Sequence, residues 1–171
     1  MLFRSPQIVP CRVLKIDRPA PDVAVLTLKL PMNENMLFVA GQYIDLLLKD
    51  GKRRSYSIAT PPTSDGVTML ELHIRHMPGG LFTDHVFGAM KERELLRFEG
   101  PLGTFHLRPP SGKPAVMVAS GTGFAPIKAM CEAVFRRGVS ADQPLTLYWG
   151  CRRRIDLYHL ALAEQWAAEQ A

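Results

Sequence analysis

The chain has 171 residues, of which 47% are hydrophobic and 22% charged, and its formal net charge is +5. This length fits one domain of about 150 residues, or one domain with part of a second. The composition excludes a disordered, collagen-like or low-complexity chain. No apolar run approaches the roughly 20 residues that span a bilayer, and residues 1–6 lack the features of a signal peptide. We therefore expect a globular protein of the cytoplasm with no membrane span.

Charged residues, cysteines and histidines exclude further classes of site. Cys11, Cys131 and Cys151 are too far apart for a CxxC metal site and odd in number, which fits a reducing compartment. The basic residues form short clusters separated by acidic ones, so we expect a solvated surface and no nucleic-acid partner. The five histidines have no carboxylate or cysteine at a familiar ligand spacing. No metal site is predicted.

Residues 1–110 alternate short runs of Val, Leu, Ile and Tyr with Pro, Gly, Asn and Asp, a pattern typical of β-strands. One helix, Leu81–Met90, is predicted before the last strand, because a Pro-Gly-Gly break is followed by apolar residues at roughly helical intervals. The spacing predicts an antiparallel sandwich or barrel. The six predicted strands are Arg12–Arg18, Val23–Leu30, Gln42–Leu48, Arg53–Ala59, Met69–Arg75 and Leu95–Glu99.

Residues 111–171 change to a strand, helix, strand, helix rhythm after the stiff, polar stretch Pro109–Gly112. The apolar runs Ala115–Ala119 and Leu145–Trp149 are typical of parallel strands that are buried on both faces. Two parallel strands are few for a nucleotide-binding sheet. We therefore expect this second domain to be incomplete.

Two helices are predicted in this segment. Ile127 begins a series of apolar residues at i, i+3, i+4, i+7 and i+8, with Pro126 in the first turn and Gly138 closing the end. Asp156 is predicted to open a last helix that runs towards Trp166.

The first motif that carries chemistry is Arg54–Ser57, on a predicted strand whose alternation places Arg54 and Tyr56 on one face. A guanidinium can hold a diphosphate, a phenol ring can cover a flat heterocycle, and a nearby hydroxyl can hydrogen-bond a ring nitrogen. An ordinary strand with an exposed arginine and a half-buried tyrosine has the same pattern. Taken alone, the motif favours that second interpretation.

Two glycine-rich turns each lead into a predicted helix. Pro78–Thr83 offers glycines, free N–H groups and a threonine hydroxyl to an anion, although by itself it is more typical of a simple turn. Gly121–Pro126 begins as the G-x-G of a dinucleotide fingerprint, with Pro126 in place of the third glycine. A nucleotide diphosphate over this turn and a tight turn that serves packing alone are equally compatible with it.

Taken together, the three motifs resemble the ferredoxin-NADP reductase family. Within that family they look most similar to reductases of the CDP-6-deoxy-glucoseen and oxygenase electron-transfer type. The resemblance covers nearly the whole chain. It also rests on Pro10–Val13, Gly41–Tyr43, His73–His76, Gly100–Gly103, Tyr148–Arg152 and Asp156–Tyr158.

The resemblance implies both the fold and the cofactors. Residues 1–110 would form a six-stranded antiparallel Greek-key barrel with one inserted helix, which binds FAD. Residues 111–171 would form a partial βαβα parallel domain that takes NADH or NADPH.

The resemblance also implies roles for individual residues. Arg54 would bind the FAD diphosphate, Tyr56 would lie against the isoalloxazine ring and Ser57 near its N5, and Thr122 would sit where flavin and nicotinamide meet. Tyr56, Ser57 and Thr122 are thus the implied catalytic residues. The other implied cofactor contacts are His73, Ile74 and Arg75 along the flavin and ribityl chain, Gly79, Gly80 and Thr83 at the phosphates, and Gly121, Gly123, Ala125, Pro126 and Arg152 at the pyridine nucleotide.

The implied activity is hydride transfer from nicotinamide to flavin, followed by delivery of single electrons to a ferredoxin-like or oxygenase acceptor. The chain has no Cx4Cx2C cluster ligands, so we expect the acceptor on a separate chain. One alternative remains open. The chain can be an FAD-binding module without self-sufficient catalysis, which needs a partner chain to complete its nucleotide domain.

Overall fold

The computed structural model describes residues 5–108, 113–138 and 144–169, which form a six-stranded antiparallel sheet and a two-stranded parallel sheet. The larger sheet closes into a barrel, because Ile58, just after its fourth strand, bridges Leu72 in its fifth. Its strands are β1 (Gln7–Ala20), β2 (Val23–Lys29), β3 (Tyr43–Leu47), β4 (Arg53–Ser57), β5 (Met69–Arg75) and β6 (Leu95–Leu102). Their spatial order is β4-β3-β6-β1-β2-β5, which confirms the predicted Greek-key barrel.

Apolar side chains at every second position of the strands point inward and fill the barrel. In β5, Leu70, Leu72 and Ile74 are fully buried inside it, as is Phe98 of β6. Burial of one such side chain stabilises the fold by about 1.5 to 3 kcal/mol. The intervening residues of β5, among them His73, point to the outside of the barrel.

The inserted helix is shorter than predicted. Helix α1 (Leu81–Phe87) ends before Gly88, a residue that disfavours a helix interior, and Met90 reaches the barrel core from the following loop. The guanidinium of Arg18 closes the helix end, since it donates hydrogen bonds to the carbonyl oxygens of Val86 and Phe87.

The smaller sheet pairs β7 (Ala115–Ser120) with β8 (Leu145–Gly150) in parallel. The prediction that both faces are buried is wrong. Met117 and Ala119 are buried, whereas Val118 is 73% and Tyr148 is 61% exposed. In the described part of the chain, the helices that follow each strand pack against the same face, so alternate residues stay in solvent.

Helix α2 (Phe124–Arg137) follows the predicted pattern and ends at Gly138, which is left-handed with φ +65°. Helix α3 (Leu160–Glu169) starts later than predicted. Asp156 closes a separate 3-10 turn, where its carboxylate accepts a hydrogen bond from the backbone N–H of Arg153. The predicted boundary at Pro109–Gly112 lies outside the described residues.

The two sheets are packed together. Ala20, Val23 and Ala40 of the barrel segment are buried in the same apolar cluster as Met117 and Phe124. None of the helices among the described residues is long and apolar enough to cross a membrane. The packing brings the turn after β7 against the outer face of β5, where the candidate site lies.

Candidate functional site

A groove of about 410 Å³ lies between the barrel and the turn after β7. It gathers the three motifs, although they lie far apart in the sequence. The groove is lined by Arg54, Ser55, Tyr56, Ser57, His73, Arg75, Met77, Gly80, Phe82, Thr83, Thr122, Gly123 and Ala125.

Strand β4 supplies one wall of this groove. The guanidinium of Arg54 is exposed, and its Nη1 donates a hydrogen bond to the carbonyl oxygen of Arg53 at 2.8 Å. The ring of Tyr56 is half-buried against Phe82, with 5.6 Å between the ring centroids. Burial raises the pKa of Tyr56 to about 12, so its hydroxyl stays a hydrogen-bond donor at neutral pH. The wall therefore combines an aromatic surface with a cation.

The turn before α1 forms the floor. A Cβ on Gly80 would lie 2.9 Å from the carbonyl oxygen of Met77, so only glycine fits there. The hydroxyl of Thr83 donates to that same carbonyl at 2.8 Å and thereby shapes the turn. Gly79 does not line the groove, and its N–H donates to the carboxylate of Asp84.

The 3-10 turn Gly121–Gly123 forms the opposite wall and separates this groove from a second one of about 430 Å³. Its position is fixed in part by Trp149, whose indole N–H donates to the carbonyl oxygen of Gly121 at 3.0 Å. The second groove is lined by Asp22, Val23, Arg75, Ser120, Gly121, Thr122, Gly150, Cys151, Arg152 and Asp156. Thr122 and Arg75 therefore line both grooves.

Charges in the second groove are partly paired. Arg75 Nη2 lies 3.2 Å from Asp22 Oδ2, whereas the other carboxylate oxygen of Asp22 is buried and has no hydrogen-bond partner among the described residues. Arg152 is exposed. The groove thus offers the exposed guanidinium of Arg152 to a ligand.

Two predicted contact residues do not turn their side chains towards either groove. Ile74 is fully buried in the barrel core, and Pro126 is buried in the first turn of α2. Neither residue lines a groove, and the contact predicted for each of them stays a prediction.

Behind the first groove lies a polar network of the half-buried Glu71 with the buried His73, Lys128 and Tyr158, which we call the interface network. His73 is only 4% exposed; its Nε2 lies 2.8 Å from a carboxylate oxygen of Glu71 and its Nδ1 lies 2.7 Å from the hydroxyl of Tyr158. Lys128 Nζ lies 3.4 Å from the same oxygen of Glu71. Burial alone raises the pKa of Glu71, but the hydrogen bond from His73 and the charge of Lys128 together lower it to about 2.

Glu71, His73 and His159 lie close enough together to hold a metal ion. The ammonium of Lys128 already contacts Glu71, however, and both ring nitrogens of His73 have partners. The arrangement is therefore explained as a hydrogen-bonded network, and the absence of a metal remains an expectation.

Sequence reasoning did not single out Asp22, Glu71 or Lys128. For Glu71 a signal existed, because it stands two residues before His73 and so shares its face on a strand that is otherwise largely apolar. For Asp22 and Lys128 the sequence carried no signal, since their importance comes from contacts with residues more than 50 positions away.

Residues 10–107 match the oxidoreductase FAD-binding domain family and residues 117–171 match the oxidoreductase NAD-binding domain family. The chain is 40% identical over 158 residues to the CDP-6-deoxy-L-threo-D-glycero-4-hexulose-3-dehydrase reductase of Yersinia pseudotuberculosis, covering 92% of this chain and 46% of that protein. It is 43% identical to reductase component 2 of the terephthalate 1,2-dioxygenase of a Comamonas species, covering 86% and 42%. The crystal structure of the Amycolatopsis reductase GcoB is similar with a TM-score of 0.85 and 34% identity, covering 99% and 51%. The chain thus spans about half the length of these relatives.

Proposed function

The chain belongs to the oxidoreductase FAD-binding family, and from that premise we propose that it passes reducing equivalents from NAD(P)H through FAD to a one-electron acceptor. The observation that carries this proposal is the placement of Thr122 and Arg75 between two adjoining grooves. Ligands bound in the two grooves would meet at this point.

The first groove fits FAD in its chemistry. Tyr56 offers a ring for the flavin, Arg54 an exposed guanidinium for the diphosphate, and Gly80 a backbone that no side chain blocks. A Cβ on Gly123 would meet nothing within 4 Å, so the turn leaves open space on the groove side. We assign FAD to this groove and the pyridine nucleotide to the second one.

When bound, the flavin supplies hydride acceptance and the passage of single electrons. The protein's own residues orient the reactants and exclude water. Tyr56 and Phe82 form an apolar wall, Ser57 would offer its hydroxyl to the flavin, and Thr122 would separate the two ligands. No acid or base is needed for a hydride step.

We propose the division of the chain into an FAD domain of residues 1–110 and a nucleotide domain of residues 111–171. We also propose that the acceptor is an iron–sulfur or oxygenase protein on a separate chain and that the protein acts in the cytoplasm. The relationship to an oxygenase reductase component supports such an acceptor.

The test is anaerobic mixing of the purified, FAD-loaded protein with NADH or NADPH. Bleaching of the long-wavelength flavin absorbance is the expected result. A yellow protein that stays oxidised would support the alternative, an FAD-binding module that needs a partner chain to complete its catalysis. A colourless protein that takes up no added FAD would contradict both.

A further inference from the structure

The interface network connects two parts of the chain that are distant in sequence. Glu71 and His73 lie on the outer face of β5, which would be in solvent if the second segment were absent. Lys128 comes from α2 and Tyr158 from the segment between β8 and α3. Every contact between these two pairs is therefore a contact between the barrel and the second segment.

The partners fix the direction of each hydrogen bond. A carboxylate only accepts, so His73 donates a hydrogen bond from its Nε2–H to Glu71, and its Nδ1 then accepts a hydrogen bond from the hydroxyl of Tyr158. Burial lowers the pKa of His73, in keeping with this neutral form. The result is an ordered chain from Tyr158 through His73 to Glu71, which ends on the ammonium of Lys128.

Lys128 has more than one partner in this interface. Besides Glu71, its ammonium contacts the carbonyl oxygen of Ala59 at 3.4 Å, also in the barrel segment, and the carboxylate of Glu132 on its own helix at 3.2 Å. The residue is only 8% exposed. The ammonium of Lys128 thus ties α2 to two separate points of the barrel segment, Glu71 and Ala59.

The position of Lys128 explains what the network does for the groove. Lys128 lies five residues after Gly123, about 7 Å along the helix axis, and α2 continues directly from the Gly121–Gly123 turn. A fixed Lys128 therefore fixes the start of the helix and, with it, Thr122. Tyr158 acts on the same point, because its ring packs edge-on against Phe124, the first residue of α2, with 6.3 Å between the ring centroids. Neither Lys128 nor Tyr158 lines the groove, so their effect on it is indirect.

We propose that Lys128 and Tyr158 are positioning residues that hold Thr122 against the first groove, an inference that rests on the proposed function. Through Glu71 and His73 they set the spacing between the two ligand grooves. Loss of either contact would let the turn move away from the barrel while the barrel itself stays folded.

Hydrogen–deuterium exchange of the protein as purified tests this proposal without any need for activity. In Lys128→Met and Tyr158→Phe we expect the amides of residues 121–125 to exchange about tenfold faster, while those of β1 and β2 keep their rates. Lys91→Met and Tyr148→Phe, which remove the same groups from exposed positions, should change neither. Unchanged exchange at residues 121–125, or an equal increase in β1 and β2, would overturn the proposal.

A second measurement separates positioning from binding. We expect Lys128→Met to keep the dissociation constant for FAD within about twofold and to slow flavin reduction by NAD(P)H about tenfold. An equal loss of FAD affinity and of reduction rate would argue against positioning. Failure of the unaltered protein to take up FAD would defeat the proposed function, whereas the exchange experiment would still decide the role of the network.

Discussion

At the scale of single residues, Arg54 and Arg53 form a natural pair for comparison on one strand. Arg54 lines the first groove, whereas the guanidinium of Arg53 forms a salt bridge with Glu99 of β6. A charge-assisted hydrogen bond contributes about 1.5 to 3 kcal/mol. We therefore expect Arg54→Ala to raise the FAD dissociation constant roughly 10- to 100-fold in a fluorescence titration.

Arg53→Ala is the matched control for this measurement and should leave FAD affinity within about twofold. Equal FAD affinity in the Arg54 variant and the unaltered protein would contradict the assignment of the first groove to FAD.

The three thiols also differ at this scale. Cys11 and Cys131 are buried, and burial raises the pKa of each to about 12, while Cys151 is half-buried at the second groove. Because the thiolate is the reactive form, we expect Ellman's reagent to label a single thiol rapidly in the folded protein. Cys151→Ser should abolish this fast phase and Cys131→Ser should preserve it. Rapid labelling of two thiols would refute the prediction.

At the scale of elements, the turn before β3 depends on Gly41. Its φ is +104°, and a Cβ at this position would overlap the backbone carbonyl oxygen of Phe105. Gly51 also has a positive φ, +79°, but a Cβ there would meet nothing within 4 Å. We expect Gly41→Ala to lower the free energy of unfolding by about 3 kcal/mol or more. The overlap with Phe105 adds to the energy that any residue with a Cβ needs to adopt a positive φ.

Gly51→Ala introduces only the unfavourable positive φ, without an overlap, and should lower the free energy of unfolding by about 1 kcal/mol. Urea denaturation of both variants measures the difference. If the two lose the same amount, the close approach of Phe105 to Gly41 is not important for stability.

The elements themselves were largely predictable, because each is specified by local periodicity. Leu70, Leu72 and Ile74 alternate as a strand does, and the apolar series from Ile127 recurs as a helix does. The predictions were wrong about the end of α1 and the burial of β7. Gly88 ended α1 early, and β7 is buried on one face because neighbouring helices, which no local pattern records, lie on that face.

At the scale of the whole molecule, the interface network and the adjoining His159, whose ring centroid lies 5.3 Å from that of His73, make the free energy of unfolding depend on pH. Burial lowers the pKa of His73 and of His159, so the folded chain resists protonation that the unfolded chain accepts below about pH 6.5. The free energy of unfolding should therefore fall as the pH decreases from about 7.5 to 5.5. Below about pH 4 a further loss is expected, because Glu71 has a pKa of about 2 when folded and an ordinary one when unfolded.

Urea midpoints measured across this pH range check the prediction. His159→Gln should reduce the dependence above pH 5, because it removes one of the two histidines whose pKa burial lowers. A midpoint that stays constant over this range in the unaltered protein would contradict the lowered pKa of His73 and His159.

The sequence by itself determined the strands, the principal helix and the three motifs, since alternation, glycine placement and residue chemistry are local properties. It also carried the resemblance to ferredoxin-NADP reductases that the family matches confirm. Only the tertiary structure decided that Arg54, Gly80 and Thr122 line one groove and that Lys128 meets Glu71. The reason is physical. These contacts depend on how the second segment packs against β5, and a contact between distant residues does not appear in the hydrophobic periodicity of either segment.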